Sequence, residues 1–152
     1  MTKPARLTTF RRAALVLLAV LCVAACGKRE WPIPVASEDK FRWRSVEIQR
    51  AQGCLILNCE LSGNWRNVDT VKVLLEPVGD GPGDGCASCP FTPRTTLSFD
   101  PGSAGLRRDM NRIAITACEL DPQKTYRVQL VGFNAFARIA PVASELVLSA
   151  PK

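Results

Sequence analysis

The 152-residue chain contains no histidine and a single tyrosine. Without an imidazole the commonest general base at neutral pH is missing, and Ser-His and Cys-His dyads are excluded. Neither a Gly-x-Ser-x-Gly elbow nor a glycine-rich phosphate loop occurs. The carboxylates are scattered, as on a solvated surface. The sequence therefore points to no catalytic residue, no cofactor and no metal ligand. Excess positive charge is also missing once its position is considered. The formal net charge is +6, but Lys3, Arg6, Arg11 and Arg12 all precede the first apolar run. Beyond residue 25, 16 Lys+Arg face 14 Asp+Glu, with no basic cluster among them. Nucleic-acid binding by counterion release has little to work with, so no nucleic-acid partner is expected.

What stands at the start is an export signal: a cationic stretch, an apolar run from Ala13 to Ala25, and small residues at its exit. As a helix this run rises about 20 Å, short of the roughly 30 Å hydrocarbon core, so a permanent span is not expected. The segment Val23-Ala24-Ala25-Cys26-Gly27 resembles the bacterial lipobox. The resemblance implies a diacylglycerol thioether on Cys26, cleavage before it, and a membrane partner reached through covalent lipid. Two or three acyl chains hold a protein on a bilayer where one does not. In a two-membrane envelope, Gly27 after the cysteine favours the outer membrane. Ordinary secretion is the alternative, because Val23 and Ala25 also suit general signal peptidase.

Residues 26–40 are polar and carry Pro32 and Pro34, which predicts an extended tether. From Phe41 to the end, apolar residues recur every second position. Leu55, Leu57, Cys59 and Leu61 share one strand face, as do Val71, Val73 and Leu75. Ile113 with Ile115, Tyr126 with Val128 and Leu130, and Leu146 with Leu148 continue the pattern. Short strands separated by Gly, Pro and Asn turns predict an all-β antiparallel sandwich over 41–152. Two connections are irregular: the glycine- and cysteine-rich loop at 79–94, which needs a staple to offset its ordering entropy, and residues 101–111.

The run Leu120-Asp121-Pro122-Gln123-Lys124-Thr125-Tyr126, followed by Val128, Leu130, Gly132 and Asn134, resembles the fibronectin type III family. It implies an immunoglobulin-like sandwich in which Tyr126 turns its hydroxyl back to the chain, and a binding or spacer module without a shared active site. The N-terminal half departs from that pattern. Cys59 stands roughly where the second strand carries tryptophan, and the tryptophans are at 31, 43 and 65.

With Cys26 lipidated, an odd five cysteines remain: Cys54, Cys59, Cys86, Cys89 and Cys118. The strand order implied by the resemblance sets the start of the second strand beside the end of the fifth, which brings Cys54 near Cys118 as an outward-facing disulfide. Cys86 and Cys89 then close the glycine loop and leave Cys59 as a buried thiol. Two other readings stay open. Cys54, Cys59, Cys86 and Cys89 form a zinc site, or Cys86-Ala87-Ser88-Cys89 is a redox pair.

Alternation sets Leu74, Val131 and Phe133 opposite the core-facing sets, and Phe136 and Ile139 in the connection that follows. These five are the candidate partner surface, unless the Cys86–Phe91 segment folds down over them as a small extra core. The expectation is a non-catalytic binding or structural module of the cell envelope with an envelope protein as partner. The alternative is a thiol–disulfide or envelope-assembly helper working through Cys86 and Cys89.

Overall fold

Alternating side chains require two sheets, because a single sheet leaves its apolar face wet. The computed structural model describes residues 36–51 and 53–151 and shows this sandwich. Its elements are α1 (Ala36–Asp39), β1 (Phe41–Ala51), β2 (Cys54–Gly63), β3 (Val68–Val78), β4 (Thr95–Phe99), β5 (Leu106–Asp109), β6 (Arg112–Ala117), β7 (Thr125–Asn134), β8 (Val142–Ala143) and β9 (Val147–Ser149). One antiparallel sheet runs β1-β2-β6-β5; the other runs β4-β3-β7-β8, with β9 also on β7. This is an immunoglobulin-like strand order. The expected signal, the lipid on Cys26 and the tether as far as residue 35 lie outside the described residues.

The interior is built from the predicted rows. Leu55, Leu57, Cys59 and Leu61 of β2 with Ile113 and Ile115 of β6, from one sheet, join Val71, Val73 and Leu75 of β3 with Val128 and Leu130 of β7, from the other, in one buried cluster. Phe41 of β1 is fully buried, edge-on to Trp43 at 6.1 Å. Both rings lie over Gly132, where a Cβ would stand 2.7 Å from Phe41. Glycine in β7 thus makes room for aromatic volume delivered by β1.

Three parts of the chain differ from the sequence expectation. Ala36–Asp39 is a helical turn rather than extended tether, and its end is docked: the Asp39 carbonyl accepts the side-chain amides of Asn67 at 3.0 Å and Asn134 at 2.8 Å. Residues 101–111 contain a strand, β5, which has one buried apolar residue, Leu106, followed by exposed Arg107, Arg108 and Asp109. Period two cannot be read from a single inward apolar residue. Leu146 and Leu148 were expected on the core side but are 42% and 57% exposed. Register decides this: Tyr126 pairs with Ser149 and Val128 with Val147, and directly opposed residues share a face. Val147 and Ser149 therefore point inward, and the leucines point out.

Arginines tie the layers at their ends. Arg50 of β1 lies 5.4 Å from the Tyr126 ring and donates to the Ser149 hydroxyl at 3.1 Å and the Pro122 carbonyl at 2.7 Å. Arg108 of β5 reaches the Val68 and Asp69 carbonyls in the opposite sheet. The Tyr126 hydroxyl accepts the Asp121 N–H at 3.2 Å.

β2 and β6 pair with Leu55 opposite Ala117, which leaves Cys54 opposite Cys118, and their Cα atoms are 4.0 Å apart in a disulfide. The bond closes 64 residues of chain and joins the two central strands of the first sheet at one end. Replacing both cysteines by serine lowers unfolding free energy by about 2–4 kcal/mol, measured by denaturant melts under oxidising conditions.

Candidate functional site

The outer face of the β4-β3-β7 sheet has three cross-strand rows. They are Ser98–Lys72–Val131–Ala143, then Thr96–Leu74–Gln129, then Glu76–Arg127–Leu148. Directly opposed side chains touch, so each row is a contact line. The first two rows are half-buried or exposed. In the third, Glu76 and Arg127 face outward yet are only 2% and 4% exposed.

Their cover is the connection between β3 and β4. The Gly85 N–H donates to the Pro77 carbonyl at 2.8 Å and begins the crossing above Glu76. A Cβ on Gly85 would stand 2.3 Å from the Glu76 carboxylate, so the backbone passes this close only because glycine is there. Cys86 and Cys89 are joined in a disulfide that shapes the next four residues. Phe91 then sets its ring 5.7 Å from the Arg127 guanidinium.

Arg127 holds this strap down. Its Nε donates to Glu76 at 2.8 Å, and one Nη donates to the same carboxylate and to the Pro90 carbonyl at 3.1 Å. The other Nη donates to the Ala87 carbonyl at 3.3 Å and the Cys89 carbonyl at 2.6 Å. A guanidinium has five N–H groups, and all five have acceptors. Lys124 adds an outer tie, 2.9 Å from Asp84, and that hydrogen bond holds its ammonium above the usual lysine range.

The five predicted surface residues are not equivalent. Leu74, Val131 and Phe133 lie on the outer face, half-buried; the strap covers the Glu76–Arg127 row beside them. The Lys72 ammonium is 4.9 Å from the Phe133 ring. Phe136 is 37% exposed. Ile139 is buried, at 7% exposure, because its N–H closes a turn onto the Phe136 carbonyl and folds the side chain inward. Phe133 and Ile139 line one open depression of about 510 Å³. Leu146 and Leu148 belong to this surface, and sequence reasoning had assigned them to the core. The signal available was Ser149, whose hydroxyl suits an inward position only with a donor such as Arg50 beside it. A second depression, about 550 Å³, lies on the other sheet between Glu47, Glu60, Arg107 and Arg112. Its charges are mixed, and Glu60 is already engaged by Arg44 and Asn111.

The cysteines do not converge as a zinc site would need. Four are in the two disulfides, and Cys59 is a buried thiol in the core. Burial pushes the Cys59 thiol up to about 12, far from the thiolate that metal binding and exchange require. Among the described residues, no group of three or more His, Cys, Asp or Glu is placed to hold a metal ion, and no helix is long and apolar enough to cross a membrane. Comparison of the chain with protein-family models and with curated proteins finds no match.

Arg127→Leu alone strands the Glu76 carboxylate and costs about 3–5 kcal/mol. Glu76→Leu with Arg127→Leu costs much less, yet both variants speed hydrogen exchange at residues 86–91. Denaturant melts and exchange mass spectrometry read the two effects separately. At pH 8, iodoacetamide leaves the Cys59 peptide unmodified in folded protein and alkylates it once guanidinium is added.

Proposed function

We propose that the chain is a lipid-anchored, non-catalytic binding module of the cell envelope, of fibronectin type III-like kind, whose partner is an envelope protein. The observation that carries the binding reading is the outer face of the β4-β3-β7 sheet. There Leu146 and Leu148 are exposed at 42% and 57%, beside the strap and the half-buried Leu74, Val131 and Phe133. Exposed apolar side chains gathered on one face mark interaction sites, and the disulfide-closed strap beside them restrains the chain, which lowers the ordering cost of association. The anchor reading rests on Val23-Ala24-Ala25-Cys26, and the family reading on the Tyr126 hydroxyl turned back to Asp121.

A second reading, a thiol–disulfide helper, is favoured by the exposure of both Cys86 and Cys89. Exchange needs an attacker to reach a sulfur, and here the sulfurs are at the surface. Reduction of that disulfide by weak thiols supports the helper; resistance under the same conditions supports the strap as a fixed border.

Metabolic labelling with a fatty acid tests the anchor. Cys26→Ser abolishes the label and releases the protein from membranes, whereas a labelled or membrane-retained variant rejects it. For the binding face, a photo-crosslinker at Leu148 captures a defined envelope protein that the same group at Glu47, on the opposite sheet, does not. Equal capture at both positions, or none at either, removes the support for this face.

A further inference from the structure

Among the described residues the two sheets have four edges, and three of them are guarded. The edge of β1 is closed by the other sheet: Trp43 donates to the Val142 carbonyl at 2.8 Å and Arg50 donates to Ser149. β5 is four residues long and carries Arg107, Arg108 and Asp109. The edge beyond β7 is broken into β8 and β9, of two and three residues. Short, charged or interrupted edges are how sheet proteins avoid pairing with other chains. β4 has none of these devices. Thr95-Thr96-Leu97-Ser98-Phe99 is uncharged, lacks proline, and pairs with β3 without a register shift.

The direction of its free hydrogen-bonding groups follows from β3. The Pro77 carbonyl accepts from Gly85 and the Leu75 carbonyl from Arg94, so alternate residues of β3 from Pro77 back to Val71 turn their backbone groups toward β4. Their partners Thr95, Leu97 and Phe99 face β3 in return. Alternation turns the N–H and C=O groups of Thr96 and Ser98 to the open edge.

Charges lie at either end of this edge. Arg94 precedes β4, is exposed, and its guanidinium has no partner among the described residues. Asp100 follows β4, is exposed, and accepts the Thr70 hydroxyl at 2.8 Å. The stretch from 94 to 100 is therefore complementary to itself about Leu97. An antiparallel pair of two copies with Leu97 opposite Leu97 sets each Thr96 against the other copy's Ser98, where the outward backbone groups exchange hydrogen bonds. It also brings each Arg94, just before the strand, to the end of the edge where the other copy's Asp100 follows its strand, twice by symmetry. Leu97, half-buried at the margin of the core, gains its own counterpart as cover. We propose that β4 is a dimerisation edge, and that two copies of this chain join there in an antiparallel pair centred on Leu97.

The test uses the full chain in mild detergent, with mass followed by sedimentation equilibrium up to about 100 µM. The wild type forms dimers. Thr96→Pro removes an outward N–H that β3 does not use, so the fold melts cooperatively as before while the dimer is lost. Arg94→Asp sets like charges opposite each other and weakens the dimer roughly ten-fold; Asp100→Arg does the same. The double variant Arg94→Asp with Asp100→Arg restores it. This rescue keeps the test decisive even if Thr96→Pro unfolds. A wild type that stays monomeric throughout, including one whose β4 edge takes up an extended peptide instead, overturns the proposal. So does a dimer that persists in Thr96→Pro, or charge variants that do not compensate.

Discussion

The outer layer depends on one guanidinium whose five N–H groups all have acceptors. Arg127 faces away from the core, where arginine normally meets water. Here the strap replaces the water, and Glu76, directly opposite on β3, replaces the counterion. Desolvating this pair is unfavourable unless every donor finds an acceptor. The carbonyls of Ala87, Cys89 and Pro90 complete the set. The dependence runs both ways. Without the strap the pair is an ordinary surface contact worth little, and without the pair the glycine-rich loop has no fixed seat. Gly85 and the Cys86–Cys89 bond make that mutual dependence geometrically possible.

The same use of arginine recurs at the ends of the sandwich. Arg50 and Arg108 direct donors to backbone carbonyls that no strand pairing satisfies. Residues in loops and at sheet margins leave such carbonyls open, and a planar fork with several donors closes more than one at a time. A sandwich of short strands has many margins relative to its core. Arg50 and Arg108 bridge margins in this way, where the composition alone suggested only a mildly basic surface.

Period two made the core legible. The rows on β2, β3, β6 and β7 are the interior, because every second position there is apolar over several residues in succession. The placement of Cys54 beside Cys118 followed from strand order and alternation together. Legibility failed where those conditions lapse. Residues 146–148, entering β9, are apolar at three successive positions, so pattern cannot choose between Leu146 with Leu148 and Val147 with Ser149; the pairing of Ser149 with Tyr126 chooses. β5 offers one inward apolar side chain, because its other inward position is Arg108, opposite Ile113. Ile139 lies in the connection after β7, where a tight turn and not alternation decides that it is buried. Glu76 and Arg127 were invisible as a pair, since their meeting requires the register between two strands about 50 residues apart.

Cys59 has a consequence for the history of each molecule. An oxidant that meets the unfolded segment from residue 41 onward finds its five thiols in competition, with Cys59 only five residues from Cys54 and able to take its place. One that meets the collapsed chain finds four, because β2 has carried Cys59 under the opposite sheet. The correct bonds then follow from proximity: Cys54 already lies across from Cys118, and Cys86 three residues from Cys89. Collapse of the sandwich interior before oxidation is thus what makes an odd number of cysteines safe, and the order of the two events decides the yield of correctly bonded protein.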